Sequence, residues 1–351
     1  MQGEKINILF DFKKGPWGGG NQFLLALRNY LIKNNRYEET SEKAKIILFN
    51  SFQEQKDSKR IIFLKKQIYE RIIVMRIDGP VFLIRGKDYN VDKNIYQFND
   101  LLADATIFQS EWSRQENYKL GMKPNKFEVV IMNAPNPLIF NKKDKIPFSK
   151  DRKIRLIATS WSSNWNKGFE TYKWLDEHLD FSKYEMTFIG NSPIEFKNIK
   201  HIHPLKSEDL AKELKRSDVY ITASKKDPCS NSLIEAMHCG LPAIGLRDGG
   251  HPEIIRRGGE LFNIPEEIPS LLKKIIENYK KYRGRIDLPP MEEVGKKYYQ
   301  FMQQIYEEYK NEKYLPKTIS GAKIIKLRYS LFKMRIIEKI KGVLNRIESI
   351  H

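Results

Sequence analysis

Residues 218–246 constrain the fold of this chain more than any other stretch. Asp218 to Ser224 (D-V-Y-I-T-A-S) alternates and is rich in β-branched residues, the pattern of a strand. Asp227 to Ser232 is turn-forming. Leu233 to His238 switches to helical spacing, and Gly240 with Pro242 ends that helix. A second strand follows at Pro242 to Leu246, closed by Gly249 and Gly250. Strand, polar turn, short helix and strand together make a βαβ segment of an open α/β sheet.

The chemistry of this segment sits at its turn. The backbone N–H groups of Ser230, Asn231 and Ser232 open a helix and have no partner within it, so they form a site for a phosphate or another anion. Asp227 and Glu235 flank that site, eight residues apart. Carboxylates repel phosphate but suit hydroxyl groups on either side of one, such as a ribose and a transferred sugar. Each also has a plainer reading. Ser232-Leu233-Ile234-Glu235 fits a capping box, and Asp227 fits an ordinary turn residue.

The stretch resembles the donor-site signature of the retaining glycosyltransferases of family 4, the glycosyl transferases group 1, which have the GT-B fold. Their pattern is Glu, seven residues, Glu, Ala-Met or similar, and Gly-Leu/Ile-Pro-Val. Glu235-Ala236-Met237-His238-Cys239-Gly240-Leu241-Pro242-Ala243 follows it closely, with Asp227 in place of the first Glu. Gly249-Gly250-His251-Pro252-Glu253-Ile254-Ile255 is similar to the family's Gly-Gly-x-x-Glu-Ile/Val-Ile segment. The resemblance implies that Glu235 holds ribose hydroxyls and that Asp227 faces the donor sugar.

Length and composition bound the alternatives. A chain of 351 residues suggests two domains. Cys229 and Cys239 are its only cysteines, which leaves no disulfide framework or four-cysteine metal site. His201 and His203 share a face of an alternating strand, a metal-ligating or a structural arrangement. No signal peptide is expected from Met1-Gln2-Gly3-Glu4-Lys5, and no apolar run of about 18 residues reads as a membrane span. A cytoplasmic location is expected. The net charge of +18 implies attraction to polyanions. Residues 313–351 hold ten Lys/Arg against two Glu, so much of that surplus is terminal.

The rest of the chain supplies further candidates. Lys5 to Asp11 is a first strand, and Gly18, Gly19 and Gly20 lie in the Gly-rich turn before a helix from Gln22. Strands are expected at 45–50, 61–64, 71–77, 105–109 and 127–132, with helices at 91–102 and 111–120. Arg76 and Asp78 end the 71–77 strand, where open sheets place ligands. Residues 141–153 read as a linker. Beyond it, strands at 154–159, 185–190 and 199–203 and helices to about 179 and at 208–215 lead into the central segment. After Glu253 the chain is expected to be helical, at 268–282 and 291–309. By resemblance the domains are 1–140 and 154–290, with 291–312 crossing back onto the first and 313–351 a basic amphipathic tail.

The resemblance also implies that Gly18–Gly20 and Lys167 contact the donor diphosphate, Gly190 turns near it, and the loop from His203 to Leu205 packs the base. The family's usual Arg is replaced by Trp161 or a neighbouring Ser, so Lys167 carries more of the charge, with Lys225 or Lys226 to assist. Asp227, Lys167 and Asp78 are the candidate catalytic residues.

The expected architecture is thus α/β: a GT-B pair of Rossmann-like domains facing across a cleft, plus a basic helical tail. The expected activity is hexosyl transfer from a nucleotide-diphosphate sugar to a hydroxyl of a glycan or lipid-linked glycan, with retention, as in polysaccharide biosynthesis. No Asp-x-Asp is placed under the diphosphate, so no metal and no further cofactor are expected. The tail (Ile324, Ile325, Leu331, Phe332, Ile336, Ile340, Leu344, Ile347) spaces its apolar residues helically among cations, and its apolar side has no evident core to join. Contact with an anionic membrane's inner face or with a partner is expected of it. A nucleotide-sugar epimerase or glycan phosphorylase on the same fold, an inactive relative, or a basic polyanion-binding protein are the alternatives. No recognised module supports specific nucleic-acid binding.

Overall fold

The computed structural model describes residues 3–13, 15, 18–50, 55–68, 70–86 and 89–327, with 329, 332 and 336. Two parallel sheets organise it. The first contains β1 (Ile6–Leu9), β2 (Ile46–Asn50), β3 (Ile72–Ile77), β4 (Ala105–Phe108) and β5 (Phe127–Val130), in that spatial order. The second contains β6 (Ile154–Ser160), β7 (Tyr184–Gly190), β8 (Lys200–Ile202), β9 (Val219–Thr222), β10 (Ala243–Leu246) and β11 (Gly259–Phe262), in the order β11-β10-β9-β6-β7-β8. Parallel strands covered on both faces read as continuous apolar runs, and every residue of β2 and β3 is buried.

The second sheet changes direction at β6. Strands β6 to β8 step one way; β9 then returns to the other side of β6. The carboxyl ends of β6 and β9 therefore flank a switch point, the place where open α/β sheets bind ligands.

Helix Met291–Lys310 belongs late in sequence, yet it completes the core of the first sheet beside helix Gly19–Lys33. Val294, Tyr298, Met302 and Ile305 are its buried stripe. Gly295 permits the close approach, because a Cβ there would meet the Tyr30 ring at 2.3 Å. Gln303 exchanges two hydrogen bonds with the Glu4 backbone, each 2.9 Å.

The two sheets' units touch on several sides. The Glu253 carboxylate accepts from the N–H groups of Glu111 (2.9 Å) and Trp112 (2.8 Å), at the start of helix Glu111–Lys119. Asn133 Nδ2 donates to Asn231 Oδ1 at 3.0 Å, and Asn166 Nδ2 donates to the Ile84 carbonyl at 3.0 Å.

Three sequence expectations need correction. Residues 61–64 are not a strand but lie in helix Gln55–Gln67. Ile61, Ile62, Leu64 and Lys65 are buried while Phe63 is exposed, which is a helical face interrupted by an outward position. The region after Glu253 is not wholly helical, since it includes the edge strand β11, four residues too short to show alternation. The expected helix at 268–282 is two helices, Ile268–Glu277 and Tyr279–Gly284, broken at Asn278.

The tail also differs from expectation at its start. Ile319, Ile324 and Leu327 are buried against Ile47, Ile61 and Leu64 on the second face of the first sheet, so part of its apolar side does join a core. Asp104 anchors this segment: its carboxylate accepts from Tyr314 Oη (2.8 Å) and Lys317 N (2.6 Å) as well as from Ile73 N (2.8 Å). Lys65 Nζ, also fully buried, lies 3.3 Å from the same carboxylate. Ile325, Phe332 and Ile336 are exposed. Leu331, Ile340, Leu344 and Ile347 lie outside the described residues. Among the described residues no helix is long and apolar enough to cross a membrane.

Docking of this segment sets a testable contrast. Leu327→Ala is expected to destabilise the protein by about 2–5 kcal/mol. Ile325→Ala, on the exposed side of the same segment, should stay within about 0.5 kcal/mol. Urea denaturation measures both, and equal small losses would detach the segment from the core.

Candidate functional site

A cavity of about 300 Å³ lies between the units at the switch point. Its floor is the C-terminal end of β6 (Thr159, Ser160) and the loop after β9 (Ser224, Asp227). Helix Asn231–His238 starts here, and its N-cap, Ser230, makes no side-chain capping bond. Gly18, the uncapped N-cap of helix Gly19–Lys33, faces it from the first unit. The two helix starts are in contact: a Cβ on Gly19 would lie 2.4 Å from Asn231 Cβ. Both positive helix ends and their N–H groups thus border one space.

Most of the residues singled out from sequence converge on it. Gly18, Gly19, Lys167, Gly190, Leu205, Asp227, Ser230, Asn231, Ser232 and Glu235 line the cavity. Gly20, His203 and Asp78 do not. Gly20 is the second residue of its helix, and a Cβ there would point into open space. The His203 ring packs 5.3 Å from that of His201, whose Nε2 lies 2.8 Å from the Gly190 carbonyl. Asp78 is held in the first unit by Arg76 Nη1 (2.9 Å) and Gln109 Nε2. The fully buried Arg76 also donates to Asn50 (2.6 Å) and to Asn133 (2.9 Å), which in turn reaches Asn231.

Lys167 and Asp227 form an ion pair of 3.0 Å in the cavity. Burial works to raise the Asp227 carboxyl, but Lys167 and His251 outweigh it and hold it below the usual carboxylate range. The loop around Asp227 is tightly fixed. Gly250 N donates to the Asp227 carbonyl at 2.8 Å, and Gly249, at φ +61°, passes so close that a Cβ would meet that oxygen at 2.3 Å. Lys225 and Lys226, expected to assist, instead pair with Glu170 (2.7 Å) and Asp248 (3.0 Å), and neither lines the cavity.

Glu235 has the opposite electrostatics. It is buried on the fifth residue of its helix, facing the cavity, and no described residue hydrogen-bonds or pairs with its carboxyl. The capping-box reading therefore fails. Burial alone raises its pKa to about 8.

Further polar neighbours were not singled out from sequence. Gln22, Thr159, Ser207 and Ser224 line the cavity, and the buried His251 leaves Nε2 without a partner among the described residues while Nδ1 contacts the Leu246 carbonyl at 3.0 Å. Burial pushes the His251 imidazole pKa down. Its place directly after Gly249-Gly250 was the available signal. Trp161 borders the cavity near Gly18.

Residues 195–287 match the family model described as glycosyl transferases group 1. The chain is 14% identical to HepE from Anabaena, solved with UDP-glucose, and covers all of it with 88% of its own length at a TM-score of 0.61. The catalytic domain of starch synthase IV from Arabidopsis thaliana matches 83% of this chain and 79% of its own at a TM-score of 0.55 and 11% identity. This chain has the GT-B fold and carries a glycosyl transferases group 1 segment. Among curated proteins, N-acetyl-alpha-D-glucosaminyl L-malate synthase of Bacillus anthracis is 26% identical over 60% of this chain. A probable sucrose-phosphate synthase of Thermosipho melanesiensis is 31% identical over 55%. The matched stretches span 61% and 50% of those two relatives. The group 1 match covers the cavity-lining residues from Pro204 to Glu235, but not those from Thr159 to Gly190, Lys167 included, and none of the first unit.

The raised pKa of Glu235 predicts a pH effect. A proton held more tightly in the folded state stabilises it fully below the unfolded value of 4.5, and that stability is lost as pH rises toward and through about 8. Glu235→Gln should therefore gain stability over the parent between pH 5 and pH 8, by at least ~2 °C in Tm, and level off above. A difference that does not change with pH would show that Glu235 is already ionised in the free protein.

Proposed function

We propose that the chain transfers a sugar from a nucleotide-diphosphate sugar to an acceptor hydroxyl. The observation that carries the reading is the pair of uncapped helix starts, Gly18–Gly19 and Ser230–Asn231, bordering one cavity with Lys167. Negative charge grows on the leaving diphosphate as the glycosidic bond breaks. Fixed N–H dipoles and an ammonium aimed at that charge lower the barrier without reorganising. The group 1 match and the solved relative with UDP-glucose support a nucleotide-sugar donor.

The roles that the resemblance implies agree with the electrostatics. Glu235, buried at the cavity wall, offers hydrogen bonds to ribose hydroxyls. Asp227, ionised and fixed, faces the transferred sugar. Because Lys167 already pairs with Asp227, donor binding divides the ammonium between carboxylate and diphosphate. Leu205 and Gly190 border the space proposed for the base. Retention and independence from metal are part of the proposal, as is a glycan or lipid-linked acceptor. The cation-rich stretch 313–351, with exposed Tyr329, Phe332 and Ile336, supports contact with an anionic membrane surface.

Calorimetry with UDP, GDP, ADP and their sugars, without added metal, tests the reading. One nucleotide is expected to bind, and Lys167→Ala should weaken it by about 1.5–3 kcal/mol. Glu235→Gln, checked by circular dichroism, should weaken the same nucleotide. Turnover should persist in EDTA, and proton NMR of the product should show the donor's anomeric configuration. Failure of every nucleotide to bind the folded parent would end the donor-site reading.

A further inference from the structure

A second concavity of about 460 Å³ lies along the outer edge of the second sheet, beside β11. It shares no lining residue with the cavity at the switch point. Six cations converge on it: Arg247, Arg256, Arg257, Lys274, Lys281 and Arg285. One carboxylate, Glu260, is present, and it is already engaged by Lys274 at 2.8 Å and by the Tyr282 hydroxyl. Among the described residues no acidic side chain pairs with the other five. Six cations gathered around one hollow make a local positive field, and a multivalent anion is the ligand that such a field favours.

The backbone adds to the picture. Arg256 has φ +46° and ψ −118°, a conformation that side-chain-bearing residues rarely adopt. Its guanidinium is tied by Nε to the Glu253 carbonyl (2.9 Å) and by Nη1 to the Asp287 carbonyl (3.3 Å), which leaves it oriented in advance of any ligand. Four of the six cations are arginines, whose planar forks match phosphate oxygens in pairs. A single carboxylate ligand carries too little charge to neutralise the five cations that Glu260 does not engage. We propose that this hollow is a binding site for a phosphate-bearing ligand carrying several negative charges, separate from the transfer site.

The site also borders the donor loop. Arg247 directly precedes Asp248, which accepts from Lys226 N (3.2 Å) and pairs with Lys226 Nζ (3.0 Å), next to Asp227. Glu253, whose carbonyl holds Arg256, carries the carboxylate that bridges the two units. An occupant of the hollow would therefore rest on segments that fix the donor site and the interdomain contact.

Inorganic tripolyphosphate is the probe, titrated by calorimetry into the full chain with and without an excess of whichever nucleotide the calorimetric panel shows to bind. The parent should bind it, and the double variant Arg257→Glu/Arg285→Glu should weaken it at least about tenfold, as loss of paired charge-assisted bonds requires. Both positions are exposed, so the fold should survive, which circular dichroism checks. Lys167→Ala should lower the affinity for the nucleotide and leave intact the tripolyphosphate binding that the double variant loses. Co-sedimentation with phosphatidylglycerol vesicles, against phosphatidylcholine, then separates the sources. Vesicle binding lost in the double variant identifies a lipid headgroup, and vesicle binding that is absent or unchanged identifies a soluble phosphate ester. Tripolyphosphate that fails to bind the parent, or binds the double variant equally well, would overturn the proposal. Neither result depends on whether the chain transfers sugar.

Discussion

Two helix N-termini meet head to head in this protein, and much of the remaining structure serves to hold them there. Helix Gly19–Lys33 and helix Asn231–His238 both begin without a side-chain cap. Each carries roughly half a positive charge at its start, so the two like ends repel across the cavity. Glycine at 19 lets the backbones touch, since any side chain would collide with Asn231. The hydrogen bond from Asn133 to Asn231 and the Glu253 carboxylate on helix Glu111–Lys119 supply attraction between the units on either side. An anion between the helix starts would convert the repulsion into a third tie.

The two carboxylates show how one cavity sets opposite charge states. Asp227 and Glu235 are both buried, and burial pushes both pKa values upward. Only Asp227 has a cation within reach, so only Asp227 is held ionised. A full second negative charge beside a diphosphate would be costly; a Glu235 with a pKa of about 8 avoids it near neutral pH while still offering a hydroxyl donor and a carbonyl acceptor. Lys167 is the pivot of this arrangement. Lys225 and Lys226 are committed to other carboxylates, which leaves Lys167 as the cation lining the cavity among the described residues.

The second unit was more legible in the sequence than the first, for physical reasons. Residues 218–246 must change period from two to 3.6 within a few residues, and Gly and Pro punctuate each change, so both the elements and the cavity-lining residues followed. Buried parallel strands such as 72–77 were equally clear. The misread segment at 61–64 is four apolar residues among lysines, where strand and helix look alike until the flanking turn is known. Asp78 does stand at a strand end, but tertiary contacts with Arg76 and Gln109 turn it away from the cavity, and no local pattern encodes such partners. His251 was read as part of the Gly249–Ile255 segment but not as a site residue, because a buried imidazole is recognised by its surroundings, which sequence does not show.

The end of the chain links these observations to the first unit's stability. Helix Met291–Lys310 and residues 313–327 cover opposite faces of the first sheet, so that sheet is completed by sequence lying beyond the second unit. Asp104 is the point where they converge: it holds β3 through Ile73, the segment through Tyr314 and Lys317, and the buried Lys65 of helix Gln55–Gln67. A buried lysine without its carboxylate is among the more costly arrangements in a core, so Asp104 ties the fate of helix Gln55–Gln67 to that of the returning chain. A native first sheet therefore requires chain from beyond the second unit to be docked on both of its faces.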